Sequence, residues 1–128
     1  MKIGELARAT GVKAETVRYY ERIGLLPAPD RTEGNYRDYG PSDRERLGFI
    51  RNARRLGFEI ADIRSLLGLG DQPDESCGEV GRIANEHLTA VEEKIALLKR
   101  LRSELQRMIS QCQGGRIYDC RIMNSLVG

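Results

Sequence analysis

The sequence predicts a mainly α-helical protein in two parts: a compact head of short helices with one small hairpin, then a single long helix ending in a loop. Three observations carry this. In the first 69 residues, short apolar stripes at helical spacing are punctuated by Gly and Pro. Between Gly78 and Gln111, Ala84, Leu88, Val91, Ile95, Leu98, Leu105 and Ile109 recur at alternating four- and three-residue steps, the seam of a heptad repeat. Arg102 interrupts that seam, with Leu101 beside it. The hairpin signal is centred on Gly34-Asn35.

A chain of 128 residues with 40% hydrophobic and 31% charged content suits one small core with an appended, surface-rich helix. No apolar run approaches a membrane span, and the opening MKIGELARAT lacks the apolar core of a signal peptide. A cytoplasmic protein without a membrane partner is the expectation. In that reducing compartment the three cysteines are expected as thiols, and an odd number argues against a closed disulfide framework. The net charge of +2 is uneven: residues 1–57 carry twelve Lys/Arg against eight Asp/Glu, whereas residues 58–128 carry nine against eleven. The basic half points to a polyanion partner for the head.

The first segment, Ile3 to Ala9, is amphipathic, Gly11 interrupts it, and a second helix is predicted from about Ala14 to Ile23. Ile3, Ala7, Gly11 and Val17 stand at the first, fifth, ninth and fifteenth places of a helix-turn-helix. The small residue lets the helices cross closely, Gly supplies the turn, and the branched residue packs the second helix back. That second helix carries Lys13, Thr16, Arg18, Tyr19, Tyr20 and Arg22. Such groups bond phosphates, and Arg or Thr reaches base edges in a major groove. Tyr19 and Tyr20 cannot both face one partner at 3.6 residues per turn, so one ring is expected to pack against Val17 and Leu25.

Gly24-Leu-Leu-Pro-Ala-Pro29 stops the helix and continues extended. Residues Arg31 to Arg37 read as a tight hairpin in which Gly34-Asn35 takes positive φ; with Arg31, Tyr36 and Arg37 it makes a wing beside the helix-turn-helix. A third helix opens at Pro41-Ser42 with a capping box from Ser42 to Glu45. Its expected inner face is Leu47, Ile50, Ala53 and Leu56, with its arginines mostly solvated. Gly57 ends it, and a fourth helix over Ile60–Leu69 presents Ile60, Ile63, Leu66 and Leu67.

The polar segment Gly70 to Gly78 leads into the long helix and carries Cys77. Cys77 and Cys112 both fall on the heptad phase, five heptads or roughly 50 Å apart, too far to meet within one chain. In an antiparallel dimer residue 77 of one helix comes level with residue 112 of the other, which makes two composite sites. Cys112 and Cys120 bracket a seven-residue loop that Gly114-Gly115 lets fold back, so both sulfurs can converge on one ion. Thiolates select soft cations over Mg or Ca. Taken singly, each cysteine is more often a small buried side chain than a ligand. His87 reads as a polar residue of the helix interface, and Arg116 as a cation able to offset a thiolate complex. No nucleophile–base or acid–base pair is visible, so an enzyme is not expected.

The segments KIGELARATGV, ETVRYYERIGLLP, GNYRDY and RLGFIRNARRLGFEIADIRSLL, in this order, resemble the MerR family of winged-helix transcriptional regulators, and the likeness runs over essentially the whole chain. The resemblance implies a winged helix-turn-helix DNA-binding domain over 1–69, a linker at 70–79, an antiparallel coiled-coil dimerisation helix at 80–111, and a metal-binding loop with a short C-terminal helix at 112–128. It implies a homodimer on a palindromic promoter, whose overlong spacer the activator bends and untwists so that RNA polymerase engages both elements. Candidate DNA contacts are Arg18, Tyr19, Tyr20, Asn35, Tyr36 and Arg37, followed by Lys13, Thr16 and Arg31. Metal-sensing members carry the Cys-loop-Cys at this place, and sensors of divalent ions add a cysteine at the start of the dimer helix. Cys112 and Cys120 of one chain with Cys77 of the other are therefore the expected ligands of a soft divalent heavy metal. Cadmium and lead rank first, then mercury. Zinc follows because it wants four ligands, to which Asp119 or water would contribute. The seven-residue loop is also that of copper-sensing members, so Cu(I) is the alternative metal and a thiol-based redox sensor the alternative chemistry.

Overall fold

The computed structural model describes residues 1–112 and 114–128; Gln113, inside the loop expected to hold metal, lies outside the described residues. The elements are α1 (Ile3–Thr10), α2 (Ala14–Arg22), β1 (Asp30–Arg31), β2 (Arg37–Asp38), α3 (Pro41–Arg55), α4 (Ile60–Gly70), α5 (Gly78–Ser110), a 3-10 turn (Ile117–Asp119) and α6 (Arg121–Val127). The chain divides into two units, Met1–Val80 and Gly81–Gly128. Residues 78 and 79, at the end of the segment read as linker, are already helical.

The first unit is the winged helix-turn-helix. Gly11 closes α1 in the left-handed conformation, φ 72°, and its N–H donates to Ala7 O at 2.9 Å. A residue with a Cβ is disfavoured there. Helix α2 then starts at Ala14, with Lys13 as an N-cap that makes no side-chain bond. Leu6, Val17, Tyr20, Leu25, Leu26, Tyr39, Leu47, Ile50, Ala53, Ile63 and Leu67 form one core drawn from α1 to α4 and the intervening loops.

The hairpin is antiparallel, with Asp30 opposite Asp38 and Arg31 opposite Arg37. Thr32 N–H donates to Tyr36 O at 2.8 Å, Asn35 N–H donates to Thr32 O at 2.8 Å, and Asn35 takes φ 64°. This is a three-residue loop with its left-handed position at Asn35. Positive φ was expected of the pair Gly34-Asn35; Asn35 alone adopts it, because one left-handed residue suffices for a loop of this length.

Three further expectations are corrected. The α3 cap is not Ser42–Glu45. The helix begins at Pro41, and Gly40 N–H donates to Asp43 Oδ2 at 2.9 Å, two residues earlier than foreseen. Leu56 does not belong to the inner face: α3 ends at Arg55, Gly57 turns at φ 85°, and Leu56 is 68% exposed. The arginines of α3 are also not merely solvated. Arg46 Nε donates to Leu25 O at 3.0 Å, Arg51 Nη1 to Thr10 O, and Arg54 Nη1 to Phe58 O at 2.8 Å. From α4, Arg64 Nη2 donates to Ile23 O at 2.8 Å. These carbonyls lie where helices end or loops run, and lack helical partners.

In the second unit α5 is continuous to Ser110. Its heptad seam is bare in the single chain: Leu88, Ile95, Leu98, Leu105 and Ile109 are all exposed. A long helix with such a face has the pattern of a coiled-coil strand. Among the described residues no helix is long and apolar enough to cross a membrane.

Candidate nucleic-acid interface and thiol loop

The expected DNA-contacting residues other than Tyr19 line two basic concavities of the first unit. One is lined by Arg18 from α2 and by Arg31, Asn35, Tyr36 and Arg37 from the wing, together with Lys2 and Ile3. Arg31 Nη1 donates to Asn35 O at 3.3 Å, and Lys2 Nζ lies 5.6 Å from the centre of the Tyr36 ring. The other is lined by Lys13 and Thr16 with Arg51, Arg54 and Arg55. Lys2 carries no signal in the sequence, whereas Arg54 and Arg55 read there as part of a mostly solvated arginine face of α3 with one phosphate contact among them.

Two of the expected contacts carry structural duties. Tyr20 is a core residue, 8% exposed, whose margin reaches the second concavity. The helical period leaves Tyr19 outward, with Arg22 5.8 Å from its ring centre. Arg37 is partly occupied as well: its Nε lies 3.2 Å from Glu21 Oε2. The same carboxylate accepts the Tyr39 hydroxyl. Burial and the Glu21 carboxylate push the Tyr39 phenol far above its ordinary range. Glu21 thus binds the wing strand and the segment after it to α2.

At the far end of α5, Cys112 is exposed and Cys120 half-buried; both line a cavity of about 200 Å³ with Asp119, Gly114 and Arg121. Gly114 and Gly115 take φ 76° and 91°, which permits the reversal that returns the chain toward Cys112. The 3-10 turn is closed by Asp119 N–H to Arg116 O at 3.0 Å and Cys120 N–H to Ile117 O at 2.9 Å. Two soft sulfurs and one carboxylate around a cavity fit a thiophilic cation. They do not complete a site, since among the described residues no three His, Cys, Asp or Glu groups come close enough to hold an ion. Cys77, in the first unit, is exposed and borders an apolar depression lined by Phe49, Leu66, Leu69 and Val80. His87 is half-exposed on α5 and Arg116 is exposed.

Comparison with known proteins places this architecture. Residues 1–69 match the family described as MerR HTH family regulatory protein, and residues 44–108 match MerR, DNA binding. The chain belongs to the MerR family. A probable heavy metal-dependent transcriptional regulator of Haemophilus influenzae is 38% identical over the full length of both chains. The mercuric resistance operon regulatory protein of Bacillus cereus is 39% identical, covering 98% of this chain and 96% of its own. The transcription regulator PbrR691 of Ralstonia metallidurans CH34, crystallised with lead(II), superposes with a TM-score of 0.86 at 40% identity over 98% of each chain. The MerR relatives are transcriptional regulators and not enzymes, and several are metal-responsive.

Proposed function

We propose that this MerR-family regulator acts as a homodimer on promoter DNA and is switched by a soft divalent heavy metal. Cys112 and Cys120 of one chain and Cys77 of a second chain would hold the ion. The observation that carries this is the pairing of an incomplete thiol cavity at one end of a bare heptad helix with a third exposed thiol at the other end. Two thiolates satisfy linear Cu(I), whereas a third adds the charge and donor that Cd, Pb or Hg requires. Names of relatives agree in kind: one belongs to a mercuric resistance operon and another was crystallised with lead(II).

Arg18, Arg31, Tyr36, Arg37 and Lys13 anchor the heads on phosphates, and deforming the intervening DNA costs a few kcal/mol. Metal binding supplies that work only through a difference in affinity between two dimer states. Bending and untwisting the promoter would bring RNA polymerase into register with both of its elements. Cytoplasmic residence follows from this role.

The test is a metal panel on the purified protein, reading thiolate-to-metal absorption and transcription from the cognate promoter. Response to Cd(II), Pb(II) or Hg(II), abolished by Cys112→Ser or Cys120→Ser and weakened by Cys77→Ser, is the expected result. A response to Cu(I) alone would overturn the divalent assignment. The shared cavity of Cys112 and Cys120 also favours a second reading, a disulfide-based redox switch. Thiol titration of reduced protein with and without Cd(II) separates it: metal protects the thiols without oxidising them.

A further inference from the structure

The bare seam of α5 contains one cation, Arg102, and its position has a geometric meaning. Resting on the homodimer reading above, we infer that Arg102 selects the orientation and register in which two copies of α5 pair. Reversing one helix brings the two alternating sets of seam positions opposite each other, but heptad phase leaves the register open by multiples of seven residues. Two registers keep Cys77 within about a turn of the level of Cys112.

In the first register Leu88 faces Leu98, Val91 faces Ile95, and Arg102 faces Ala84. In the second, one heptad along, Leu88 faces Leu105, Ile95 faces Leu98, and Arg102 faces Val91. A parallel pair instead sets Arg102 against Arg102. Leu105 faces Gly81 in the first register and Leu88 in the second, so the apolar pairs by themselves do not favour the first.

The guanidinium discriminates strongly. Facing Val91, it is trapped between the Leu88 and Ile95 layers with no anion on the seam to pair with it, and a buried unpaired charge is severely penalised. Facing its own copy, it adds like-charge repulsion. Facing Ala84, a small seam residue, its methylenes lie over the single methyl while the charged head reaches water. Arg102 and Ala84 thus form a cation and a matching gap, and only the first antiparallel register joins them. Cys77 then comes level with Ile109, one helical turn short of Cys112, so the Cys112–Cys120 loop has to fold back by that turn to meet it.

The test is pulsed electron paramagnetic resonance on the full chain carrying one spin label at Glu79→Cys, with Cys77→Ser, Cys112→Ser and Cys120→Ser. The first register separates the two labels by about 42 Å along the helix axis, the second by about 52 Å, and a parallel pair leaves them within about 20 Å. A single distance near the first value is expected, with Arg102→Leu adding a second population. A main population near the second value in the chain retaining Arg102 overturns the inference. So does a single unchanged distance in both Arg102→Leu and Arg102→Ala. Absence of any interchain distance, or only the short one, overturns the antiparallel homodimer itself, a separate failure seen before Arg102 is touched.

Discussion

The hydroxyl of Tyr39 donates a hydrogen bond to the carboxylate of Glu21, across eighteen residues of chain. Tyr39 is 2% exposed and Glu21 also pairs with Arg37, so one carboxylate joins α2 to the wing. The pH consequence has a definite sign. The folded state raises the phenol's pKa, through burial first and Glu21 second. The stabilisation is complete below the unfolded tyrosine value, about 10, and is lost as pH rises from there toward the folded value. Urea unfolding from pH 8 to 11.5 should show a decline of up to about 1.4 kcal/mol per pH unit above pH 10 that Tyr39→Phe removes. An unchanged alkaline slope in Tyr39→Phe would assign the decline to other groups.

Arg51 should matter more for stability than its position on a charged helix face suggests. Its guanidinium reaches the carbonyl of Thr10, where α1 ends. Arg51→Ala leaves that carbonyl without its charged donor and should cost about 1.5–3 kcal/mol, against roughly 0.5 kcal/mol or less for Arg44→Ala. Chemical denaturation of both variants decides it.

The adjacent tyrosines should separate cleanly. Tyr20→Ala hollows the core and should cost about 3–5 kcal/mol. Tyr19→Ala should leave stability within roughly 0.5 kcal/mol while weakening promoter binding. Equal loss of stability in both would contradict the burial difference.

Arg18 stands in the basic concavity shared with the wing. If it neutralises one phosphate, Arg18→Ala should reduce the slope of log binding constant against log salt by about one. Binding measured at several salt concentrations, on specific and nonspecific duplexes, distinguishes a phosphate contact from a base contact. Loss confined to the specific duplex would mark Arg18 as a reader of sequence.

The left-handed Asn35 supplies a local control. Asn35→Gly should be nearly neutral for stability, whereas Asn35→Ala should cost about 1–2 kcal/mol from strain at φ 64°. Thermal melts of the pair give the comparison.

Much of this architecture was legible because it rests on periodic or local rules. The spacing of Ile3, Ala7, Gly11 and Val17 placed the helix-turn-helix, the Gly34-Asn35 signal placed the wing, and the heptads placed α5. The choice between Tyr19 and Tyr20 was posed by periodicity and decided by packing. What sequence concealed was long-range: a guanidinium 41 residues from the carbonyl it serves carries no local signature. Leu56 misled because the helical phase stops at Arg55, one residue before it. At the thiol loop, Gly114-Gly115 announced the reversal, whereas the cavity shared by Cys112, Asp119 and Cys120 required the fold.

The guanidinium bridges have a dynamic corollary. Arg51 fastens α3 to the end of α1, Arg64 fastens α4 to the end of α2, and Arg46 fastens α3 to the loop after α2. The C-terminal ends of α1 and α2 therefore do not fray alone, since releasing either also breaks a bond to a distant element. Amides of the last turns of α1 and α2, ordinarily quick to exchange with deuterium, should exchange at nearly the rate of the core. The head would then open as one cooperative block, able to pass a torque from its wing to its fourth helix without yielding in between.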